Sequence, residues 1–184
     1  MILVSCAEKK KETSVDNSQT GPAEIELADT PNPIQKTIPY QGSTTIDTHG
    51  TTREDLLTFA KSMIGTPYLY ASTDPNKGFD CSGFITYVFN HFDIAVPRSS
   101  IDFTNVQKEI PLQEALPGDL ILFTGTDSSD RNVGHMGILV SAENNSYSFI
   151  HATSGKAYGV TITPLNDYYK GRFVKVLRVF PDDV

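Results

Sequence analysis

The chain has 184 residues, 15 Lys and Arg against 22 Asp and Glu, a formal net charge of -7 and a sequence pI near 5.0. That length suits one domain of ordinary size plus a tail, and an acidic balance with no dense basic patch beyond Lys9, Lys10 and Lys11 argues against nucleic acid as a partner. Trp is absent, mean hydropathy is -0.23, and no run approaches the roughly 18 apolar residues of a membrane-spanning helix.

The two cysteines, Cys6 and Cys81, sit in different company. Leu3-Val4-Ser5-Cys6 resembles the small-residue box that precedes the lipidated cysteine of a bacterial lipoprotein, so residues 1–6 read as a truncated lipoprotein signal. A complete signal has a basic start and an apolar stretch of roughly 7–15 residues, and only a few residues precede Cys6 here; the start is truncated or the match is accidental. Residues 7–50 are Lys, Glu, Thr, Ser, Asn, Gln and Pro with scattered aliphatics, a composition that predicts a flexible polar tether, with Ile34, Ile38 and Tyr40 free to pack on the domain. A disulfide between Cys6 and Cys81 ranks last, since it would tie a tail to the core and leave no nucleophile.

The folded domain is expected over residues 51–184. Thr52 with Asp55 forms a helix-capping pattern, followed by Leu56, Phe59, Ala60, Met63 and Ile64 at helical spacing, with Gly65 as the stop. A turn-rich stretch from Thr66 to Gly78 leads to Phe79-Asp80-Cys81-Ser82-Gly83. A second helix starts there, with Phe84, Ile85, Val88, Phe89 and Phe92 as its apolar stripe, and it places Cys81 in the first turn beside unpaired backbone N–H groups. Pro97-Arg98-Ser99-Ser100 predicts a short polar helix ending before Pro111.

After Pro117-Gly118 the pattern changes to short strands at 119–123, 135–140, 147–151, 160–162 and 173–179, separated by Gly, Pro, Asp, Asn and Ser. Helices first and strands afterwards predict an α+β domain, with N-terminal helices packed on an antiparallel sheet.

A thiol becomes a useful nucleophile when its pKa falls, and a helix N-terminus with a neighbouring imidazolium lowers it to roughly 3.5–7.5. Of four histidines, His49 lies in the tail and His91 near the end of the second helix. His135 and His151 each lie at the end of a predicted strand, where neighbouring strands would set them side by side, His135 toward the thiol and His151 orienting it. Fast alkylation of Cys81 by iodoacetamide near neutral pH is the expectation.

Gly65-Thr66-Pro67-Tyr68, Phe79-Asp80-Cys81-Ser82-Gly83, Pro117-Gly118-Asp119-Leu120, Gly134-His135-Met136-Gly137-Ile138 and Ile150-His151-Ala152 follow one another in the order of the NlpC family of cell-wall cysteine peptidases. The chain resembles that family from about Thr52 to Phe180. The resemblance implies a papain-like fold and cleavage of the γ-D-Glu to diaminopimelate (or Lys) bond in peptidoglycan stem peptides. By motif it implies Cys81 as nucleophile, His135 as base and His151 as orienting group. It implies Tyr68 as an oxyanion donor beside the Cys81 N–H, with Asp80 and Ser82 receiving the free amine of the stem peptide. Helix capping by Asp80 and local packing by Ser82 are equally open readings. Arg98 either binds a carboxylate or pairs with an acid. Relatives often carry Gly-Gly after the Tyr motif where this chain reads Tyr70-Ala71-Ser72.

No cofactor and no metal are expected, the protein is read as a monomer, and its partner is a stem peptide or muropeptide. Cys6 would tether the enzyme to a membrane in the cell envelope. Three alternatives stay open: a zinc site on Cys81, His135 and His151, a non-catalytic wall-binding domain, and an acyltransferase or amidase whose acyl-enzyme is resolved by an amine or alcohol.

Overall fold

The first helix, α1 (Arg53–Ser62), begins where the sequence predicts: the Thr52 hydroxyl accepts the Asp55 N–H at 3.1 Å and donates to the Asp55 carboxylate at 2.7 Å. The computed structural model describes residues 37–127 and 129–181, so the Cys6 box and the tether up to residue 36 lie outside the described residues. The helix stops earlier than the spacing of Met63 and Ile64 predicts. The Met63 N–H closes on the Ala60 carbonyl, and the Gly65 N–H turns to Val160 O at 2.9 Å, leaving Ile64 half-exposed. Ahead of α1, Ile46 is buried in the core and the Thr44 carbonyl accepts the Gln107 N–H at 2.7 Å, so the packed chain starts before Thr52.

The turn-rich stretch contains a small hairpin, β1 (Thr73–Asp74) and β2 (Gly78–Phe79), which feeds directly into α2 (Cys81–His91). Asp80 caps α2, its carboxylate accepting the Gly83 N–H at 2.6 Å. Phe84, Ile85, Val88 and Phe89 are fully buried, as their spacing requires, and α2 packs on α1 and on the sheet. Gly83 is dictated by close approach: a Cβ there would sit 2.0 Å from the Ser72 carbonyl oxygen. Gly83→Ala is therefore expected to cost about 2 kcal/mol or more in unfolding free energy by urea denaturation. Gly171→Ala, where a Cβ meets nothing within 4 Å, should cost little.

The segment after Pro97 differs from the predicted helix. A 3-10 helix covers only Ser100–Asn105, anchored by buried Phe103, and the chain then forms β3 (Lys108–Ile110). Gln107 makes the change of direction at φ 63, its N–H on Thr44 O.

The remaining strands are β4 (Leu120–Thr124), β5 (Val133–Glu143), β6 (Ser146–Thr153), β7 (Gly159–Pro164) and β8 (Phe173–Arg178), with a short helix α3 (Asp167–Arg172) before β8. They form one antiparallel sheet in the order β3-β8-β4-β5-β6-β7. Alternation sorts the side chains: Leu120, Leu122, Met136, Ile138 and Ile150 join the core under α1 and α2, whereas Ile121, Phe123, Leu139 and Phe149 join a second core on the other face, with Tyr169 of α3. This is the expected α+β, papain-like arrangement, with α3 as an unpredicted addition. Among the described residues no helix is long and apolar enough to cross a membrane.

The Pro117-Gly118-Asp119-Leu120 motif has a structural role. Asp119 is fully buried, accepts the N–H groups of Leu116 and Val179, and pairs with Arg178 at 3.1 Å and Arg53 at 3.9 Å, tying β4 to β8 and α1.

Candidate active site

The helical half delivers Cys81 and the sheet delivers the histidines. Backbone N–H groups of Ser82, of Met136, the residue after His135 on β5, and of Cys81 itself favour the thiolate form of the sulfur. His135 and His151 lie on adjacent strands and face each other, Nε2 of His135 to Nδ1 of His151 at 2.8 Å, and His151 Nε2 reaches the Thr163 hydroxyl at 2.9 Å. The strands can come this close because position 137 is glycine: a Cβ there would sit 2.8 Å from Ile150 O and 2.7 Å from the Phe149 ring. Phe123, Phe149 and Tyr169 form an aromatic floor around the pair, with Tyr169 centroids 6.1 Å from His135 and 5.6 Å from His151.

Cys81, His135, Tyr68, Thr163, Lys156 and Arg172 line one cleft of about 1150 Å³. The loop carrying Tyr68 is fixed by its N–H to Tyr158 O and by pairing to Phe79. Burial, with Cys81 and Asp80 nearby, raises the Tyr68 hydroxyl above its usual range and keeps it a donor.

Asp80 and Ser82 lie beside the nucleophile, but their polar atoms are engaged. Arg98 grips the Asp80 carboxylate with both terminal nitrogens, at 3.1 and 2.7 Å, and donates to the Ser82 hydroxyl at 3.0 Å. Ser82 in turn donates to Asp80 at 3.2 Å. Both the capping reading of Asp80 and the acid-pairing reading of Arg98 describe these contacts. The other histidines stand apart: His91 stacks on Phe59 at 3.6 Å between centroids and exposed His49 pairs with Asp47. Among the described residues no three His, Cys, Asp or Glu side chains converge in a geometry that could hold a metal ion.

The electrostatics depart from the expected low-pKa thiol. Burial, and next the Asp80 carboxylate, push Cys81 up to about 11 against the three N–H groups that favour the thiolate. Burial first, then His151 and Arg172, hold His135 well below the ordinary histidine value. Burial and Arg172 pull His151 down to about 4. The resting pair is thus a thiol and a neutral imidazole.

The same shifts fix a pH dependence of stability. A histidine whose folded pKa is depressed takes its proton first in the unfolded chain, so stability is complete above about 6.5 and falls as pH drops toward 4. For fully buried His151 the loss amounts to roughly 3 kcal/mol. Thermal melts from pH 7.5 to 4 should show that fall in the wild type and a shallower one in His151→Gln.

Sequence reading missed Thr163, Tyr169, Lys156 and Arg172. The last two positions of α3 that matter, Tyr169 and Arg172, are three apart on one helix face, and Asn166 caps that helix by accepting the Tyr169 N–H. An Asn-Asp start followed by Tyr-Tyr-Lys-Gly-Arg is the available signal, too short for an apolar period.

The sequence model of a family described as NlpC/P60 matches residues 65–178. Among curated proteins, the chain is 39% identical to the Probable peptidoglycan endopeptidase LytE of Bacillus subtilis, over 67% of this chain and 33% of that protein. It is 27% identical to the Gamma-DL-glutamyl hydrolase of the same organism, over 79% of this chain and 34% of the relative. The chain therefore spans about a third of the length of these two relatives. A crystal structure of an NlpC/P60 family protein from Bacillus cereus superimposes with a TM-score of 0.63 at 28% identity, covering 71% of this chain and 41% of that one.

Proposed function

This chain belongs to the NlpC/P60 family, and from that premise we propose that it is a cysteine endopeptidase cutting peptidoglycan stem peptides between γ-D-Glu and the third residue, diaminopimelate or Lys. The observation that carries the reading is Cys81 at a helix start, sharing a cleft with a His135–His151–Thr163 chain of hydrogen bonds. A γ-glutamyl hydrolase and a peptidoglycan endopeptidase among its relatives support the bond and the substrate class.

Cys81 is the nucleophile and His135 its base. One proton assignment leaves His135 competent: His151 Nε2–H donates to Thr163 Oγ1 and His135 Nε2–H donates to His151 Nδ1. His135 Nδ1 is then a free acceptor for the thiol proton. His151 is the positioning residue, holding the tautomer as well as the ring.

Because the resting thiol is neutral, proton transfer from sulfur to His135 Nδ1 accompanies attack on the γ-carbonyl carbon. Negative charge gathers on the former carbonyl oxygen, where the Tyr68 hydroxyl and the Cys81 N–H stabilise it. Collapse breaks the C–N bond, and the proton on His135 passes to the departing amine. Water, deprotonated by His135, then cleaves the thioester and restores Cys81–SH. Asp80 and Ser82, braced by Arg98, shape the wall beside the nucleophile that receives the free amine of the acyl portion. Cys6, lipidated, places this activity at the envelope face where peptidoglycan lies.

Digestion of purified muropeptides with mass analysis of the products tests the reading. Release of fragments ending in D-Glu, with the third residue bearing a new amino terminus, is expected. Cleavage at another bond, or intact muropeptides, overturns it.

A further inference from the structure

The cleft contradicts the charge of the whole chain. Acids outnumber bases 22 to 15 in the sequence, yet the cleft is lined by Lys156 and Arg172 and, among the described residues, by no Asp or Glu. Lys156 is exposed, whereas Arg172 is half-buried and held in a fixed orientation. Its Nε–H is shared between the carbonyls of Thr124 and Gly125, at 3.2 and 3.1 Å. Nη2 donates to Thr124 O at 2.7 Å, Nη1 donates to the Tyr168 hydroxyl at 2.7 Å, and the guanidinium lies over the Tyr168 ring at 4.9 Å.

A guanidinium has five N–H bonds, and these contacts occupy three of them. One N–H remains on each terminal nitrogen, the two donors with which arginine grips a carboxylate. Arg53, Arg98 and Arg178 each pair with a buried aspartate, but among the described residues no carboxylate lies within ion-pair distance of Arg172. A rigid, half-buried, uncompensated guanidinium in a cleft is a site for an anion.

Resting on the proposed cleavage, we infer that Arg172 is a specificity residue that binds a carboxylate of the leaving residue, the third residue of the stem peptide. The side of the bond follows from the chemistry. His135 hands its proton to the departing amine, so the leaving residue lies on the His135 side of the nucleophile. Arg172 lines the cleft near enough to the histidine pair for its charge to act on both His135 and His151, whereas Asp80, Ser82 and Arg98 lie outside the cleft lining. The ligand chemistry is a carboxylate, and it has two sources: the α-carboxylate of a third residue that ends the peptide, or the side-chain carboxylate that diaminopimelate has and Lys lacks. The bound carboxylate also offsets the positive charge of Arg172 beside the histidine pair, so substrate binding favours the protonated His135 that attack produces.

The test compares kcat/KM of the wild type and Arg172→Gln on L-Ala-γ-D-Glu-X. X is diaminopimelic acid, its α-carboxamide, its side-chain carboxamide, and Lys with a free or amidated α-carboxylate. The wild type is expected to favour one free carboxylate over its amide on the order of 10- to 100-fold. The amide that loses the preference identifies the source. In Arg172→Gln that ratio should fall to about one, a readout internal to each protein and independent of how much of it is active. Equal wild-type rates on acid and amide, or the same preference retained in Arg172→Gln, overturn the inference while leaving the proposed cleavage standing. If none of the peptides is cut, the cleavage reading fails, and the Arg172 site is decided by binding: diaminopimelic acid, but not its diamide, should shift the histidine ring NMR signals of Cys81→Ser. No shift overturns it.

Discussion

Replacing Cys81 by alanine is expected to lower kcat/KM on a γ-D-glutamyl stem peptide by about 10,000-fold or more, since removing a covalent nucleophile leaves only binding and oxyanion stabilisation. The fold should survive, because the sulfur packs at the edge of the core and Asp80 still caps α2 through its own carboxylate. A melting temperature within a few degrees of wild type, together with lost turnover measured by amine release, separates chemistry from stability. Retention of a tenth of the activity would exclude Cys81 as nucleophile.

The second large effect concerns His135. His135→Ala is expected to cost about 1,000-fold, the usual range for a general base being 100- to 10,000-fold. Because burial and Arg172 keep the histidine pair neutral, the acid limb of kcat/KM should lie below pH 6.5, where protonated His135 can no longer accept the thiol proton. The thiol itself, pushed up to about 11, should react slowly with iodoacetamide at pH 7 and progressively faster toward alkaline pH. This reverses the fast neutral labelling that the position of Cys81 alone suggests. The helix start does supply N–H groups, but burial and the adjacent Asp80 carboxylate outweigh them. A pH-independent alkylation rate from pH 6 to 8 would mean an ion pair at rest and contradict the account.

The elements with long apolar periods were legible in the sequence. The stripe from Phe84 to Phe89 and the Thr52 cap placed α2 and the start of α1, and short apolar runs bounded by Gly, Pro, Asp, Asn and Ser placed five strands to within a few residues. Features fixed by distant backbone partners were not legible. The end of α1 depends on the Gly65 N–H finding Val160, 95 residues along the chain, and β3 forms where the segment after Gln107 can add an edge to β8. Helix α3, six residues long with a glycine inside, has no period to read. That short element carries Tyr169 and Arg172, so the sequence motifs offered Cys81, His135 and His151 as candidates but gave no sign of the floor beneath them or the positive wall of the cleft. Nor could spacing tell that Arg98 occupies both oxygens of Asp80, since 18 residues separate them.

The central claim is that Cys81 attacks the γ-carbonyl of a D-glutamyl residue, and its most direct test is an affinity label, L-Ala-γ-D-Glu with a chloromethyl ketone in place of the scissile amide. The account predicts one adduct per chain on the peptide containing Cys81, loss of activity in step with labelling, and much slower reaction of the isomer bearing the ketone at the α-carboxyl. Full labelling of Cys81 with activity intact, or inactivation with no added mass at Cys81, would contradict it.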